Sequence, residues 1–321
     1  MSGGPYQAKA PAKVNLGLFV GPPRADGRHE LVTVMQPITV ADRLYARTRP
    51  QAGEDLVAVV GATVEGEELT AKAIAALRRA LPEPQPALEV VVEKEIPLAG
   101  GLAGGSADAG AALRLAGRLW GVGAAGPLLA VAAQLGADVP AQVEPRRYLA
   151  TGAGERLEPL PPPAGECALL LCAAPFGLST AAVYREADRL GLPRPAEELE
   201  GLRCRLRQAL GSGEPLPPAE LLVNDLEPAA FSLCPELAEL KQLLVEVGPQ
   251  RALLSGSGPT LLALFAGAGA AWRAARAAQR LGRSGRFARL WVAGFAPPDL
   301  AEPRPCSQPP WQNGGQRDEQ A

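Results

Sequence analysis

Apolar residues fall in two rhythms along this chain, and the switches between them outline its elements. The N-terminal part carries short β-like runs: KVNLGLFV (13–20), LVTVMQPITV (31–40), DRLYART (42–48) and EDLVAVV (54–60). Branched and aromatic residues bounded by polar, Gly or Pro breaks predict strands here. EELTAKAIAALRRAL (67–81) then repeats its apolar residues at helical spacing. ALEVVVEKEI (87–96) returns to strand character, with Val90, Val91 and Val92 supplying β-branched packing. Positions 106–120 and 126–136 read as helices, the second closed by Gly136.

The Pro-Pro-Pro of LEPLPPPAGE (157–166) is the clearest internal break and divides residues 1–160 from 161–295. Beyond it the pattern gives a strand (168–174), helices near 180–190, 196–210, 218–231 and 235–247, and a strand–loop–strand (251–266). A helix (269–281) and a strand (286–295) complete the periodic sequence. APPDLAEPRPCSQPPWQNGGQRDEQA (296–321) is Pro- and Gln-rich without periodicity, which predicts a disordered tail. The expectation is an α+β protein in two parts.

Composition narrows the class. With 321 residues, 47% hydrophobic content and a formal charge of −2, the chain reads as soluble and globular, without the basic footprint of a nucleic-acid binder. No run reaches the roughly 20 apolar residues of a membrane span. MSGGPYQAKAPAK, at the start, lacks the apolar core of a signal peptide. Cys167, Cys172, Cys204, Cys234 and Cys306 form no CxxC pair and no zinc-like spacing with the single histidine, His29. Reduced thiols and a cytoplasmic setting are expected. Only five of the 32 basic residues are Lys, so each lysine is worth locating.

The most distinctive stretch is IPLAGGLAGGSADAGAALRLAGRLWG (96–121), where Gly100, Gly101, Gly104 and Gly105 run into helical sequence. A strand, a glycine turn and a helix start can form an anion site from backbone alone: the first helical N–H groups lack partners and carry the positive end of the macrodipole. Ser106, at the expected N-cap, adds a hydroxyl for the helix, a phosphate or a magnesium ion. No GK[ST] follows, and the glycines do not fit GxGxxG, so neither common phosphate loop applies. A turn that serves only close helix–strand packing is the alternative on these residues alone.

The loop has company in PAKVNLGLFV (11–20), RADGRHELVTVMQPI (24–38), LGADVPAQV (135–143) and LLSGSGPTLLALF (253–265). In that order and spacing these segments resemble the GHMP small-molecule kinases over about residues 8 to 295. The resemblance implies a two-domain fold: an ATP-binding domain with a left-handed β-α-β unit, packed on a second α/β domain. The site would lie between them, and the last strand of the periodic sequence would be free to return to the first domain.

It also implies roles. Pro97, Leu98, Ala99, Gly100, Gly101, Leu102, Ala103, Gly104, Gly105 and Ser106 would hold the phosphates of ATP, with Mg²⁺ arriving on the nucleotide and Ser106 as a possible ligand. Asp138 resembles the catalytic base, and Lys13 its partner. Asn15, two residues along the strand from Lys13, points to the same side and would contact the acceptor's hydroxyls. Arg28, His29, Thr180 and Tyr184 match positions around a cytosine, and Ser255, Gly256, Ser257 and Gly258 would close the site.

The DGxHE and LGADVP blocks narrow the resemblance to members that phosphorylate a cytidine-diphosphate derivative of methylerythritol in non-mevalonate isoprenoid synthesis. A homoserine- or mevalonate-type kinase, or a non-catalytic protein on the same fold, is the alternative. A monomer or homodimer without nucleic-acid or membrane partners is expected. The chain departs from the family with Arg28 in place of a Tyr, with Ala99, Ala103 and Ala107 in place of Gly, Gly and Ser, and with Ser179-Thr180-Ala181 in place of Pro-Thr-Pro. A methyl at Ala103 would crowd the phosphates or oppose a positive φ.

Overall fold

A computed structural model describes residues 4–49, 53–63 and 68–312 of the chain. It opens with two long antiparallel strands, β1 (Tyr6–Pro23) and β2 (His29–Thr48). The break expected near residue 41 is absent, and β2 runs straight through Asp42. Asp42, the first residue of the expected run 42–48, is fully buried. Its carboxylate is satisfied by Lys94 and by the backbone N–H groups of Glu95 and Ile96. A buried charge is tolerated in a strand only with such partners.

Next come β3 (Leu56–Val60), α1 (Leu69–Ala80), β4 (Leu88–Glu93), α2 (Gly104–Trp120), α3 (Ala125–Leu135) and the single-turn α4 (Val139–Val143). β3 and β4 pair in parallel, so α1 is the crossover between them. A hairpin of β5 (Tyr148–Gly152) and β6 (Arg156–Pro159), which periodicity did not indicate, pairs with the start of β2. The first sheet therefore forks along β2: β4 pairs with residues 43–48 and β5 with residues 31–35. Helices α1, α2 and α3 bury Leu77, Leu113 and Val131 in the core shared with this sheet.

The second sheet holds β7 (Cys167–Ala173), β8 (Arg251–Leu254), β9 (Leu261–Ala266) and β10 (Arg289–Gly294) in the order β10-β7-β9-β8, all antiparallel. Between its strands lie α5 (Thr180–Arg189), α6 (Ala196–Leu210), α7 (Glu227–Leu233), α8 (Glu236–Val245) and α9 (Ala270–Gly282). Strand periodicity divides the apolar runs of β7 and β9 between two cores. Leu169, Leu171, Leu262 and Leu264 join the core of the first sheet. Leu170, Cys172, Leu261 and Ala263 face the other way, into a core with α5, α7, α8 and α9. Burial on both faces explains why these strands read as continuous Leu and Ala rather than as an alternation.

Two expectations change at the C-terminal end. β10 does not return to the first sheet but stays at the edge of the second, against β7. The chain crosses only after it, bridging Phe295 to Ile38 and adding β11 (Arg304–Pro305) to the outer edge of β1. Residues 296–312, expected as part of a disordered tail, are thus packed structure. Ala301 and Cys306 are buried, and Trp311 sits edge-on to Tyr45 beneath the Arg47 guanidinium. Proline suits this edge strand because it has no N–H to leave unpaired. The rest of that stretch, 313–321, lies outside the described residues.

Arg114 of α2 ties this segment down by donating to the carbonyls of Lys9, Gln142 and Ala301. Arg114→Met strips donors from three carbonyls, so the expected loss is about 3 kcal/mol of unfolding free energy. Urea denaturation reads it directly; a loss under about 1 kcal/mol would show that the segment is held by other contacts.

Candidate active site

β1 carries Lys13 and Asn15 into the floor of a cleft of about 620 Å³ that opens between the two sheets. A hydrogen-bond relay fixes both side chains. Lys13 Nζ donates to Asn15 Oδ1 (2.9 Å), Asn15 Nδ2 to Thr33 Oγ1 (2.7 Å), and the Thr33 hydroxyl to the Gly17 carbonyl (2.7 Å). Lys13 is therefore held by a side-chain relay that ends on backbone rather than reaching to water. Its ammonium lies 3.7 Å from Asp138 Oδ2, with the two side chains 10% and 32% exposed.

Asp138 stands immediately before α4. Pro140 occupies the first turn of α4, a position proline favours. Although Asp138 is at the N-cap, its side chain makes no capping hydrogen bond. Ordinary turn chemistry would spend this carboxylate on its own helix; here it points to Lys13 instead.

The glycine loop forms the facing wall. Ala99, Gly101 and Ala103 all adopt left-handed backbone, with φ of 52°, 72° and 57°. The two alanines accept a conformation that costs roughly 1–2 kcal/mol per non-glycine residue. Helix α2 then starts at Gly104, so Ser106 lies inside the first turn rather than at the N-cap, which is Ala103. No side chain caps this end and no acidic residue occupies its first turn. The amides of the first turn are therefore left for an anion, and Gly104, Gly105 and Ser106 all line the cleft.

Of the loop residues, only Leu102 turns away. It is buried in the core, and its carbonyl accepts the Lys13 backbone N–H at 3.1 Å.

The second sheet contributes the loop between β8 and β9. Gly256 and Ser257 line the cleft, and the Ser257 hydroxyl is hydrogen-bonded to that of Thr180 at 2.8 Å. Ser255 and Gly258 do not reach it. Ser255 is fully buried and donates to the Gly101 carbonyl at 3.1 Å, while Gly258 abuts Leu254. These two residues position the loop.

A second cavity of about 410 Å³ adjoins the cleft and shares Leu31, Ala153, Thr180 and Tyr184 with it. Arg28 and His29 line this cavity. The His29 ring stacks on Tyr184 with centroids 5.1 Å apart, and its Nε2 lies 2.8 Å from Asp188 Oδ1. Burial, with the Asp138 charge adding to it, pushes the Tyr184 hydroxyl up to about 12. The Arg28 guanidinium donates to Asp26 at 2.7 and 3.1 Å, so it is occupied by a local ion pair.

One group in the cleft wall was not singled out from sequence. Lys94 lines the cleft at the root of the glycine loop and bridges two buried carboxylates, Asp42 and Asp108, the latter at 2.5 Å. The scarcity of lysine was the available signal, but the pairing of residues on β2 and α2 was not readable. Burial disfavours the Lys94 charge, yet the two carboxylates outweigh it and raise its pKa. For Asp108, burial and then the Asp42 charge hold the carboxyl well above the usual range. Among the described residues, no three His, Cys, Asp or Glu side chains gather into a metal site. No helix among them is long and apolar enough to cross a membrane.

Comparison with known proteins agrees with this geometry. Residues 68–144 match the GHMP kinases N terminal domain and residues 206–284 the GHMP kinases C terminal domain. A 4-diphosphocytidyl-2-C-methyl-D-erythritol kinase of Salinispora arenicola is 40% identical over 300 residues, covering 91% of this chain and 94% of the relative. One from Nocardia farcinica is 44% identical over 269 residues, covering 83% and 87%. A crystal structure of 4-(cytidine 5'-diphospho)-2C-methyl-D-erythritol kinase superposes with a TM-score of 0.71 at 33% identity, covering 91% of this chain and 99% of that one. The chain belongs to the GHMP kinases, ATP-dependent small-molecule kinases, and within them to the family of these cytidine-substrate enzymes.

The Asp108 environment has a consequence for stability. Its carboxyl is raised above its unfolded value, so above the usual carboxylate range the native state keeps a proton that the unfolded chain has released. Stability from this group therefore falls as pH rises. Relative to wild type, Asp108→Asn is expected to gain about 1–3 kcal/mol between about pH 5 and about pH 7. Denaturation across that range reads the difference, and a difference independent of pH would contradict the protonated state of Asp108.

Proposed function

We propose that this chain transfers the γ-phosphoryl group of ATP to the 2-hydroxyl of 4-diphosphocytidyl-2-C-methyl-D-erythritol, giving the 2-phosphate and ADP for isoprenoid precursor synthesis. The observation that carries the reading is one continuous recess: the glycine loop and the Lys13–Asp138 pair line the cleft, and the cavity around His29 and Tyr184 shares its walls. A substrate with a reactive hydroxyl at one end and a base at the other fits that layout.

Phosphoryl transfer requires a held triphosphate, charge neutralisation and a positioned hydroxyl. The loop 97–106 and the first turn of α2 supply N–H donors to the phosphates. Asp138 orients the acceptor hydroxyl and takes its proton as the oxygen joins the γ-phosphorus. The bond from that phosphorus to the β–γ bridging oxygen breaks, and ADP leaves. Lys13, fixed by Asn15, sets a positive charge where negative charge develops. Mg²⁺ would come in on the triphosphate and neutralise its charge, with the Ser106 hydroxyl the side chain on offer to it.

His29 and Tyr184 would take the cytosine, with Thr180 and Ser257 bracing the mouth. With its guanidinium held by Asp26, Arg28 borders the base rather than forming the second face of a sandwich. We place the reaction in the cytoplasm, which suits five free cysteines.

Asp138→Asn keeps the shape of the side chain and removes the proton acceptor. Its turnover is expected to fall by about 10²–10⁴-fold while ATP binding, followed by calorimetry, persists. Turnover close to wild type would remove Asp138 from the mechanism.

A further inference from the structure

His29 is the only histidine in the chain, and a single face of α5 holds it. Tyr184 and Asp188 are four residues apart on that helix and so lie on one side of it. Tyr184 stacks on the ring at an interplanar angle of 30°, and Asp188 Oδ1 meets Nε2 at 2.8 Å. Plane and edge of the imidazole are thus both fixed. The ring is nearly sealed at 6% exposure, while the Asp188 side chain is 44% exposed.

An ionised carboxylate accepts hydrogen bonds and donates none. In the pair with Asp188, therefore, Nε2 carries the proton. In the neutral ring Nδ1 is then left as a bare acceptor, and it has no hydrogen-bond partner among the described residues. Arg28 does not compete for Asp188, because Asp26 holds its guanidinium. The ring lines the cavity together with Tyr184 and Thr180.

Pyrimidines differ at the position such an acceptor would meet. Cytosine offers an exocyclic amine, a donor; the corresponding atom of uracil is a carbonyl oxygen, an acceptor. We propose that Asp188 is a positioning residue that selects the Nε2–H tautomer of His29, and that this tautomer makes the cavity take a base with an exocyclic amine in preference to one with a carbonyl. The inference rests on the reading above, in which this cavity holds the base of the acceptor. It adds the residue that sets the base preference and the physical reason for it.

The single histidine makes the test clean. Protein grown with isotope-labelled histidine gives one imidazole, whose two nitrogen chemical shifts report which atom carries the proton at a pH where the ring is neutral. Wild type is expected to show protonated Nε2 and a bare Nδ1, and Asp188→Ala to lose that bias. Asp188→Glu, which keeps the carboxylate, is expected to restore it at least in part.

Kinetics with the cytidine substrate and its uridine analogue give the second readout. In Asp188→Ala, KM for the cytidine compound should rise more than kcat falls. The preference for cytidine over uridine should drop about tenfold or more. A proton on Nδ1 in the wild type, or an unchanged base preference in Asp188→Ala, would overturn the inference. Failure of the wild type to phosphorylate either compound would instead overturn the functional reading, and the base preference with it. The two failures are told apart because only the second abolishes wild-type turnover.

Discussion

The backbone of Gly101 lies so close to the loop between β8 and β9 that no side chain fits between them. A Cβ there would stand 2.2 Å from the Ser255 carbonyl oxygen and 3.0 Å from that of Gly258. In return the Ser255 hydroxyl donates to the Gly101 carbonyl. The second sheet is thereby clamped to the glycine loop of the first. The clamp itself is braced, because Asn224 donates to the carbonyls of Leu254 and Gly256 on either side of Ser255. From the other side, the Lys13 N–H ties Leu102 to β1. The β8–β9 loop and β1 thus both meet the glycine loop, and the cleft has its shape because they do.

That over-determination explains how the loop tolerates its alanines. Ala99 and Ala103 keep left-handed backbone despite their Cβ atoms, so the substitution is absorbed as strain rather than as a new path. The methyl at Ala103 opposes a positive φ, and the fold accepts it. Lys94 adds an electrostatic anchor beneath the loop. Its ammonium joins β2 to the start of α2 through Asp42 and Asp108, and a buried polar network of this kind fixes register more than it adds stability.

Local pattern carried a good part of this architecture. The Val-rich β4, the glycine loop and helix α6 at 196–210 were readable because each is set by its own residues. Lys13 and Asp138 were recognisable by resemblance, but their 3.7 Å approach depends on strand and turn segments far apart in sequence. What escaped was long-range. The burial of Asp42 in an unbroken strand depends on Lys94, far along the chain, and the β5–β6 hairpin is too short to show a period. The segment 296–312 looks disordered by composition, yet it is retained by the outer edge of β1 and by Arg114. The likeness of SGSG to a binding loop did not reveal that Ser255 and Gly258 serve the clamp while Gly256 and Ser257 face the cleft. Side-chain direction at such a turn is decided by what packs against it.

If the clamped loop and the cavity around His29 and Tyr184 act as one site, phosphoryl transfer requires an acceptor that reaches both. The most direct measurement is ADP release by purified protein with Mg-ATP and 4-diphosphocytidyl-2-C-methyl-D-erythritol, set beside homoserine, mevalonate and a control without acceptor. The account predicts ADP with the cytidine compound alone, and phosphate on its 2-hydroxyl. ADP formed equally with homoserine or mevalonate, or none with any acceptor from folded protein that binds ATP, would contradict it.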